Sequence, residues 1–305
     1  MTTVAAVDCG TNSIRLLILR RGADGALTEL AREVRLARLG QGVDATGEFH
    51  PDALQRANRI FEEFAAIITG AGADRVRFVA TSAARDVSNR AVFEANVRDR
   101  LGVEVDVISG SEEAQLSTLG VLSGVTVPTP SLVFDIGGGS TELIVVGEGP
   151  AILSAISLNI GAVRVKERFL PGDPPSEQEI RAARTFIGEQ LGGAGVDFGS
   201  LAAAVGVAGT VTSFAAAKLG LETYHREAVH ETVLARGDIE ATLNHWLTQP
   251  AAVTAEEPCM HPLRAAVIGA GGLILDEISS RVPGGSVLVS ETDILDGIAL
   301  GLLEQ

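Results

Sequence analysis

The sequence contains only two cysteines and no long apolar run. Cys9 and Cys259 are too few for a disulfide framework and lack the spacing of metal ligands, which favours a reducing compartment. The N-terminus has no basic segment, and Asp8 interrupts its apolar run, so we expect no signal peptide. The uncharged stretch 201–217 is shorter than the roughly 20 apolar residues of a membrane helix. These absences predict a cytoplasmic protein without a membrane partner.

Positive charge is also scarce. Lys and Arg number 24 against 39 Asp and Glu, so the net charge is −15. Such an excess of negative charge disfavours broad binding to nucleic acid or to anionic lipid. The deficit is uneven, because residues 1–125 carry a charge of −3 and residues 126–305 a charge of −12. We therefore predict no nucleic-acid partner, and we expect an anionic ligand to bind a local patch of the N-terminal half.

Length and composition indicate a folded protein of two domains. A single hydrophobic core stops growing at about 250–300 residues, and this chain has 305. The 46% hydrophobic and 21% charged residues are typical of globular proteins and exclude a disordered, collagen-like or coiled-coil chain. Residues 124–130 resemble a linker. The expected domains are therefore 1–123 and 124–305.

The order of the predicted elements is similar in the two halves. Apolar runs at 4–7 and 14–19 flank a glycine turn and predict a β-hairpin, and apolar residues recur at helical spacing from Pro51 to Gly70. The second half again shows strands around a glycine turn, which predicts a duplicated α/β fold. The remaining elements predicted in the first half are a strand at 76–80, a helix capped by Ser88 and a helix capped by Ser111.

An internal repeat is the strongest signal in the sequence. At an offset of 127 residues, it pairs Asp8-Cys9-Gly10-Thr11-Asn12-Ser13-Ile14-Arg15-Leu16 with Asp135-Ile136-Gly137-Gly138-Gly139-Ser140-Thr141-Glu142-Leu143. Each copy is an apolar strand that ends in Asp, a turn of small and hydroxyl-bearing residues, and a second apolar strand. Each copy therefore places one carboxylate beside a loop of backbone N–H groups.

The chemistry of the repeat suits a phosphorylated ligand. Small residues in tight turns let N–H groups approach phosphate oxygens, and hydroxyl groups add donors. The carboxylates of Asp8 and Asp135 need a hard cation between themselves and a phosphate, which makes Mg²⁺ their natural partner. Either hairpin alone would also be explained by turn geometry. Two copies in matching contexts favour the functional interpretation.

Other motifs carry weaker signals. Gly206-Val207-Ala208-Gly209-Thr210 follows a predicted strand and opens a helix, which makes Gly209 and Thr210 candidates for binding phosphate at a helix N-terminus. The G-x-G-x-x-A pattern at Gly40 opens no apolar-periodic helix and does not predict a dinucleotide site. The glycines within 269–272 lie in a helical pattern and indicate close helix packing. No spacing of histidines predicts a metal site.

These segments resemble one protein family. Residues 8–13, 108–114, 135–142 and 206–210 are similar to the exopolyphosphatase/guanosine pentaphosphate phosphatase family, which belongs to the superfamily of actin, Hsp70 and sugar kinases. The resemblance covers nearly the whole chain. It implies an α/β fold of duplicated ribonuclease H-like (actin-like ATPase) domains with the active site in the cleft between them. It also implies that a C-terminal helix, about 292–305, packs back on the first domain.

The resemblance assigns roles to individual residues. From the residues alone, Glu112 and Glu113 reflect the preference of acidic side chains for a helix N-terminus. The family pattern instead makes Glu113 the candidate catalytic base and Arg85 a phosphate-binding residue, and it adds Glu142 to Asp135 as a metal ligand. The candidate phosphate-binding residues are Gly10, Thr11, Asn12, Ser13, Arg85, Gly137, Gly138, Gly139, Ser140, Thr141, Gly209 and Thr210, and the candidate ligands of Mg²⁺ or Mn²⁺ are Asp8, Asp135 and Glu142.

The activity that the resemblance implies is an exopolyphosphatase that releases terminal orthophosphate from inorganic polyphosphate. Two departures from the family pattern affect the substrate. The chain has no room for the extra C-terminal domains of longer members, which suggests short polyphosphate chains, and Leu295 stands where the family often has Arg. The alternatives are a guanosine pentaphosphate phosphohydrolase, a small-molecule kinase and a non-catalytic polyphosphate or nucleotide sensor. The oligomeric state is open, with a homodimer as one option.

Overall fold

The computed structural model describes residues 1–85, 87–149 and 151–305, which form two compact units. Unit 1 contains Met1–Ser123 and Asp293–Gln305, and unit 2 contains Gly124–Thr292. Each unit has its own sheet and its own hydrophobic core. Within the described ranges, no helix is both long and apolar enough to cross a lipid bilayer.

The first half begins with three strands, and helices and two further strands follow. Its elements are β1 (Thr2–Cys9), β2 (Ser13–Arg21), β3 (Leu27–Leu36), α1 (Val43–Thr46), α2 (Pro51–Ala71), β4 (Arg75–Ala80), α3 (Ser82–Arg85), α4 (Arg90–Leu101), β5 (Val105–Val107) and α5 (Gly110–Gly124).

The second half begins with the same three-strand pattern. Its elements are β6 (Ser131–Ile136), β7 (Thr141–Val146), β8 (Ile152–Leu158), α6 (Ala162–Phe169), α7 (Glu177–Gly192), β9 (Ala203–Val207), α8 (Ala208–Leu219), α9 (Arg226–Val229), β10 (Val233–Leu234), α10 (Arg236–Leu247), α11 (Ala251–Thr254), α12 (Pro262–Ser279), β11 (Val287–Val289) and α13 (Ile294–Leu303).

The two sheets repeat one arrangement of strands. In unit 1 the order is β3-β2-β1-β4-β5, in which β1, β2 and β3 pair antiparallel and β1, β4 and β5 pair parallel. In unit 2 the order β8-β7-β6-β9-β11 has the same directions, and β10 adds an antiparallel edge strand. The duplicated α/β fold that the sequence predicts is confirmed.

Successive residues of β1 face opposite sides of the sheet of unit 1. Val7 and Cys9 lie in the core that the sheet forms with α2 and α4, whereas Val4 and Ala6 pack in the cluster that includes α5 and α13. Cys9 is buried in that core. By the same alternation, Asp8 lies on the α13 side of the sheet.

The start of α4 differs from the prediction. The helix expected to be capped by Ser88 begins at Arg90, and the residue before it is Asn89. The amide side chain of Asn89 is bound to the backbone of Phe49, accepting its N–H at 2.9 Å and donating to its carbonyl at 3.0 Å. A contact between residues 40 positions apart thus fixes the start of this helix. The residues next to Ser88 in the sequence do not reveal this contact.

The start of α5 also differs from the prediction. The helix begins at Gly110, and the N–H of Glu112 donates to the hydroxyl of Ser109 at 3.2 Å, so the cap is Ser109 and not Ser111. The two serine hydroxyls lie 2.9 Å apart. Because serine is a good cap at either position, the sequence alone does not decide between them.

Helices α5 and α13 approach closely where two glycines meet. A Cβ atom on Gly120 would lie 1.7 Å from the carbonyl oxygen of Asp293, and one on Gly297 would lie 1.9 Å from the carbonyl oxygen of Leu116. No side chain fits at either position. The backbone contact seats α13 against the rest of unit 1, together with the apolar residues that α13 buries there.

We expect Gly297→Ala to lower the free energy of unfolding by about 1–3 kcal/mol, because the added methyl group must push the two helices apart. Chemical denaturation followed by circular dichroism measures the change. Gly301→Ala on the same helix is the matched control, since nothing lies within 4 Å of a Cβ there. That control should be neutral or stabilising by up to about 1 kcal/mol. Equal effects of the two variants would contradict the close crossing.

A capping box begins α7 in unit 2. The N–H of Glu179 donates to the hydroxyl of Ser176 at 3.3 Å, and the N–H of Ser176 returns a hydrogen bond to Glu179 at 2.5 Å. The N–H of Gly172 donates to the other carboxylate oxygen of Glu179 at 2.8 Å. The hydrogen bonds from Ser176 and Gly172 hold the pKa of Glu179 below its usual value of 4.5.

This depressed pKa gives the effect of Glu179→Gln a pH dependence. The carboxylate stabilises the folded protein above the usual value of 4.5, and that stabilisation is lost as the pH falls through the lower pKa of the folded state. We expect the variant to melt at a lower temperature than the wild type at pH 7, and the difference to shrink as the pH falls below 4.5. Glu177→Gln is the control, because Glu177 lies in the same first turn but is exposed and pairs with Arg181 at the surface. A pH-independent difference for Glu179→Gln would contradict the assignment.

Candidate active site

The two glycine loops of the repeat form the same tight turn. The N–H of Gly10 donates to the carbonyl of Ser13 at 2.9 Å, and the N–H of Gly137 donates to the carbonyl of Ser140 at 3.0 Å. The strands that flank the turns are also in matching register, since Asp8 lies opposite Arg15 and Asp135 lies opposite Glu142. The sequence repeat is therefore a structural repeat, with a carboxylate at the end of the central strand of each sheet.

The loop of unit 1 is fixed through its carbonyl groups. The carbonyl of Thr11 accepts the N–H of Gly40 at 2.8 Å, and that of Asn12 accepts the N–H groups of Ala37 and Arg38 at 3.0 and 2.9 Å. A Cβ atom on Gly40 would lie 2.0 Å from the side chain of Thr11, so glycine is required for this approach. The G-x-G-x-x-A pattern at Gly40 thus supports the loop, and the short α1 follows it.

Asp8 is almost completely buried at the end of β1. Arg15 donates from Nε and Nη2 to Asp8 Oδ2, at 2.9 and 2.6 Å. Burial raises the pKa of Asp8, the positive charge of Arg15 opposes that rise, and the carboxylate of Asp293 adds to it. Asp8 Oδ1 is buried, and no hydrogen-bond donor of the described residues reaches it.

This unpartnered oxygen fits a bound cation. A buried carboxylate oxygen without a donor is costly unless another group compensates its charge, and hard divalent cations bind such oxygens. Oδ1 of Asn12 is likewise buried, with no hydrogen-bond partner within the described ranges. These two oxygens, on Asp8 and Asn12, are of the kind that binds a hard cation, and they therefore suit the metal that the sequence predicts at Asp8.

Arg15 is a residue that the sequence analysis did not single out. Its third donor, Nη1, binds the carboxylate of Asp293, which caps α13. The repeat could have pointed to Arg15, because this residue occupies the position that corresponds to the candidate metal ligand Glu142. The contact with Asp293 joins residues 278 positions apart in the chain, which no local pattern indicates.

Glu113 and Arg85 lie together in unit 1. The family resemblance makes the first the candidate base and the second a candidate phosphate-binding residue. Arg85 Nη1 donates to Glu113 Oε2 at 2.9 Å and to the carbonyl of Ile108 at 3.1 Å. Glu113 is buried in the first turn of α5, where the helix dipole favours negative charge. A buried carboxylate thus sits beside the guanidinium of Arg85, which remains about a quarter exposed.

The loop of unit 2 is fixed by the start of α6. The carbonyl of Gly137 accepts the N–H of Ala162 at 2.9 Å, and that of Gly138 accepts the N–H of Val163 at 2.9 Å. The hydroxyl of Thr141 is fully buried and donates to the carbonyl of Ile160 at 2.6 Å. The hydroxyl of Thr141 was predicted to bind phosphate, but its proton is donated to this carbonyl, where it holds the loop in place.

Asp135 and Glu142 form a pair of carboxylates on adjacent strands of unit 2. Glu142 is buried and accepts a hydrogen bond from the hydroxyl of Ser157 at 2.7 Å, while Asp135 is half-buried. Like charges directly opposite each other on paired strands are destabilising, so a cation between them would offset the repulsion. Throughout the described ranges, no group of three or more His, Cys, Asp or Glu side chains is arranged to hold a metal ion. The predicted ligands within each unit are thus one carboxylate in unit 1 and two in unit 2.

The third glycine motif opens α8. Ala208 adopts a left-handed conformation with φ of 68°, which is rare for a residue with a Cβ. Gly209 follows, and a Cβ atom there would lie 2.8 Å from the guanidinium of Arg264. Arg264 also donates to the hydroxyl of Ser213 at 3.3 Å. Thr210 is buried, with its hydroxyl facing Gly271 of α12. The motif therefore has a basic neighbour, Arg264, which sequence spacing does not reveal.

The structure gives Leu295 a packing role. It is 1% exposed and lies in the apolar cluster of unit 1 with residues of β1, β2 and α5. The glycines of α12 also pack closely, as the sequence predicts, because Cβ atoms on Gly269 and Gly272 would contact Leu247 and Phe214.

Comparison with known proteins identifies a class of phosphatases that this chain matches. The Ppx/GppA phosphatase family model matches residues 18–305. The chain therefore belongs to the Ppx/GppA phosphatase family, which confirms the resemblance seen in its motifs.

Individual relatives match to different extents. The chain is 43% identical over 317 residues to exopolyphosphatase 2 of Mycobacterium tuberculosis, covering 99% of each protein. A crystal structure of an exopolyphosphatase-like protein is 41% identical with a TM-score of 0.93, covering 99% of this chain and 97% of that one. The guanosine-5'-triphosphate,3'-diphosphate pyrophosphatase of Pseudoalteromonas atlantica is 38% identical over 179 residues, which cover 59% of this chain and 35% of that protein.

Proposed function

We propose that the protein is an exopolyphosphatase that hydrolyses the terminal phosphoanhydride bond of inorganic polyphosphate. The observation that carries the proposal is the buried carboxylate of Glu113 with Arg85 Nη1 at 2.9 Å, in a chain similar over its whole length to exopolyphosphatase 2. A carboxylate that can accept a proton lies beside a cation that can bind phosphate. Hydrolysis of a phosphoanhydride needs these two functions next to each other.

In this mechanism, Glu113 orients a water molecule and accepts its proton as the oxygen attacks the terminal phosphorus in line. The new P–O bond replaces the bond to the bridging oxygen, which leaves on the shortened chain, and orthophosphate is released. Arg85 stabilises negative charge on the terminal phosphoryl group through its guanidinium. The N–H groups of the glycine loops supply further donors of the kind that stabilise charge in phosphoryl transfer.

The carboxylates of the repeat would hold divalent cations of the Mg²⁺ or Mn²⁺ type. Asp8 in unit 1 offers its buried Oδ1, and Asp135 and Glu142 offer a facing pair in unit 2. Such a cation, when bound, neutralises charge on the phosphate oxygens. The cleft between the two domains, the cytoplasmic location and the homodimer stay predictions from the sequence.

The second candidate substrate is guanosine pentaphosphate. Its 5′ end is also a phosphoanhydride, and the relative from Pseudoalteromonas atlantica is named for such a reaction. That relative matches 59% of this chain, whereas exopolyphosphatase 2 matches 99%, which favours polyphosphate.

We expect Glu113→Gln to lower kcat for phosphate release by about 10²–10⁴-fold, because the amide keeps the shape of the side chain but accepts no proton. KM should change much less, since Arg85 and the loops remain. Orthophosphate release from polyphosphate with Mg²⁺ measures both constants.

The matched control is Glu112→Gln. Glu112 is the preceding residue of the same helix turn, and its carboxylate pairs with Arg77 at 2.6 Å on the surface. It should keep nearly the wild-type rate. A near wild-type rate for Glu113→Gln would exclude Glu113 as the base, and equal losses in the two variants would indicate damage to the helix.

The substrate is tested by orthophosphate release from short polyphosphate, long polyphosphate and guanosine pentaphosphate under the same conditions with Mg²⁺. We expect the highest kcat/KM with polyphosphate. Release only from guanosine pentaphosphate would overturn the proposed substrate while keeping the chemistry. Release from none of the three would overturn the proposed activity and favour a kinase or a binding module.

A further inference from the structure

The duplication has placed opposite charges at equivalent positions of the two units. The residue opposite the strand-end Asp is Glu142 in unit 2 and Arg15 in unit 1. Arg15 makes two hydrogen bonds to the same oxygen of Asp8, and its remaining nitrogen binds Asp293. The three side chains are largely buried, with 14%, 6% and 7% of Arg15, Asp8 and Asp293 exposed.

An arginine bound to a cation ligand raises a physical problem. On its own it would cancel the charge of Asp8 and repel a cation at close range. Asp293 removes that difficulty, because the cluster of Asp8, Arg15 and Asp293 keeps a net charge of one negative unit. Both donors of Arg15 that face Asp8 bind Oδ2, so Oδ1 is left without a donor among the described residues.

Asp293 is itself held firmly at the start of α13. Its Oδ1 accepts the N–H of Leu295 at 2.9 Å, and its own N–H donates to Asp296 at 3.0 Å. The backbone of Asp293 lies against Gly120 of α5, where no Cβ fits. The carboxylate therefore reaches Arg15 from a rigid point of unit 1.

We propose that Asp293 is a positioning residue for the reaction, which holds Arg15 so that Asp8 directs its unpartnered oxygen to a divalent cation and which preserves the negative charge that attracts that cation. The inference rests on the proposed function, since it assumes that Asp8 binds a cation there. Asp293 acts through Arg15 and touches neither substrate nor metal.

The test uses the full-length protein and measures Mn²⁺ binding directly, by electron paramagnetic resonance of free Mn²⁺, without substrate. In Asp293→Asn the amide oxygen still caps α13, but the negative charge on Arg15 is lost. We expect the affinity for Mn²⁺ to fall roughly tenfold, as a charge removed near a partly buried site implies. The Mg²⁺ concentration for half-maximal activity should rise by the same factor, while kcat at saturating Mg²⁺ falls less.

The matched control is Asp296→Asn. This carboxylate lies in the same turn of α13 and pairs with Arg32, and an asparagine there keeps an oxygen that can accept the N–H of Asp293. We expect its Mn²⁺ affinity to stay within about twofold of the wild type. Equal losses in the two variants would overturn the proposal, because a general charge or folding effect would then explain both.

A second variant separates charge from folding. In the double variant Arg15→Gln/Asp293→Asn the cluster again carries one negative unit, so the Mn²⁺ affinity should recover towards the wild type. No recovery, or an unchanged affinity in Asp293→Asn, would overturn the role of Asp293. Asp293→Ser, which also retains a capping oxygen, replaces Asp293→Asn if the latter melts early.

Asp8→Asn distinguishes this inference from the proposed function. Loss of Mn²⁺ binding in Asp8→Asn together with wild-type binding in Asp293→Asn would overturn only the role of Asp293. Wild-type binding in Asp8→Asn would overturn the assignment of Asp8 as a metal ligand, which is the premise taken from the proposed function.

Discussion

The buried contact between Asp8 and Arg15 joins the candidate active site to the architecture of unit 1. Removing two charges from water is costly, and the cost is offset only when each charge has well-placed partners. Asp8 lies on β1, Arg15 on β2, and Asp293 at the start of α13, so the cluster of the three side chains forms only when all three elements are in place. The close crossing of α13 with α5 fixes the third of these positions. The last helix thus contacts, through Asp293, the arginine that binds Asp8.

The two units place side chains of opposite charge at equivalent positions of the same backbone arrangement. The tight turn and the strand register are the same in both, because small residues follow the strand-end Asp in each copy. The opposite strand supplies Arg15 in one unit and Glu142 in the other. Unit 1 therefore holds its carboxylate by an ion pair, whereas unit 2 holds two carboxylates side by side. A bound cation would relieve repulsion in unit 2, and in unit 1 it would compensate the carboxylate oxygen of Asp8 that has no donor among the described residues.

Local patterns predicted the parts of the structure that depend on local geometry. The hairpins, the strand-end carboxylates and the glycines of α12 follow from alternation and from turn residues, and they are confirmed. The caps predicted at Ser88 and Ser111 were wrong by one and two residues. The side chain of Asn89, just before α4, binds the distant backbone of Phe49, and α5 is capped by Ser109. Arg264 beside Gly209 and Asp293 beside Arg15 could not be predicted, since each meets its partner only through the fold. The family pattern supplied what chemistry alone did not, namely the candidate roles of Glu113 and Arg85, and the fold brings these two side chains into contact.

Topology explains why the candidate residues of each unit share one edge of their sheet. In unit 1, β1, β4 and β5 are parallel, and Asp8, Arg85 and Glu113 lie at or just after their carboxyl ends. In unit 2, β6 and β9 are parallel, and Asp135 and Gly209 follow the same rule. Ligands of open α/β sheets bind at this edge, because the loops there leave backbone N–H groups available and helices begin there. Asp293 is the exception, since it comes from a helix that returns to unit 1 after the whole of unit 2. The distance in sequence therefore hides the contact of Asp293 with Arg15, which forms only because the last helix packs against β1 and β2.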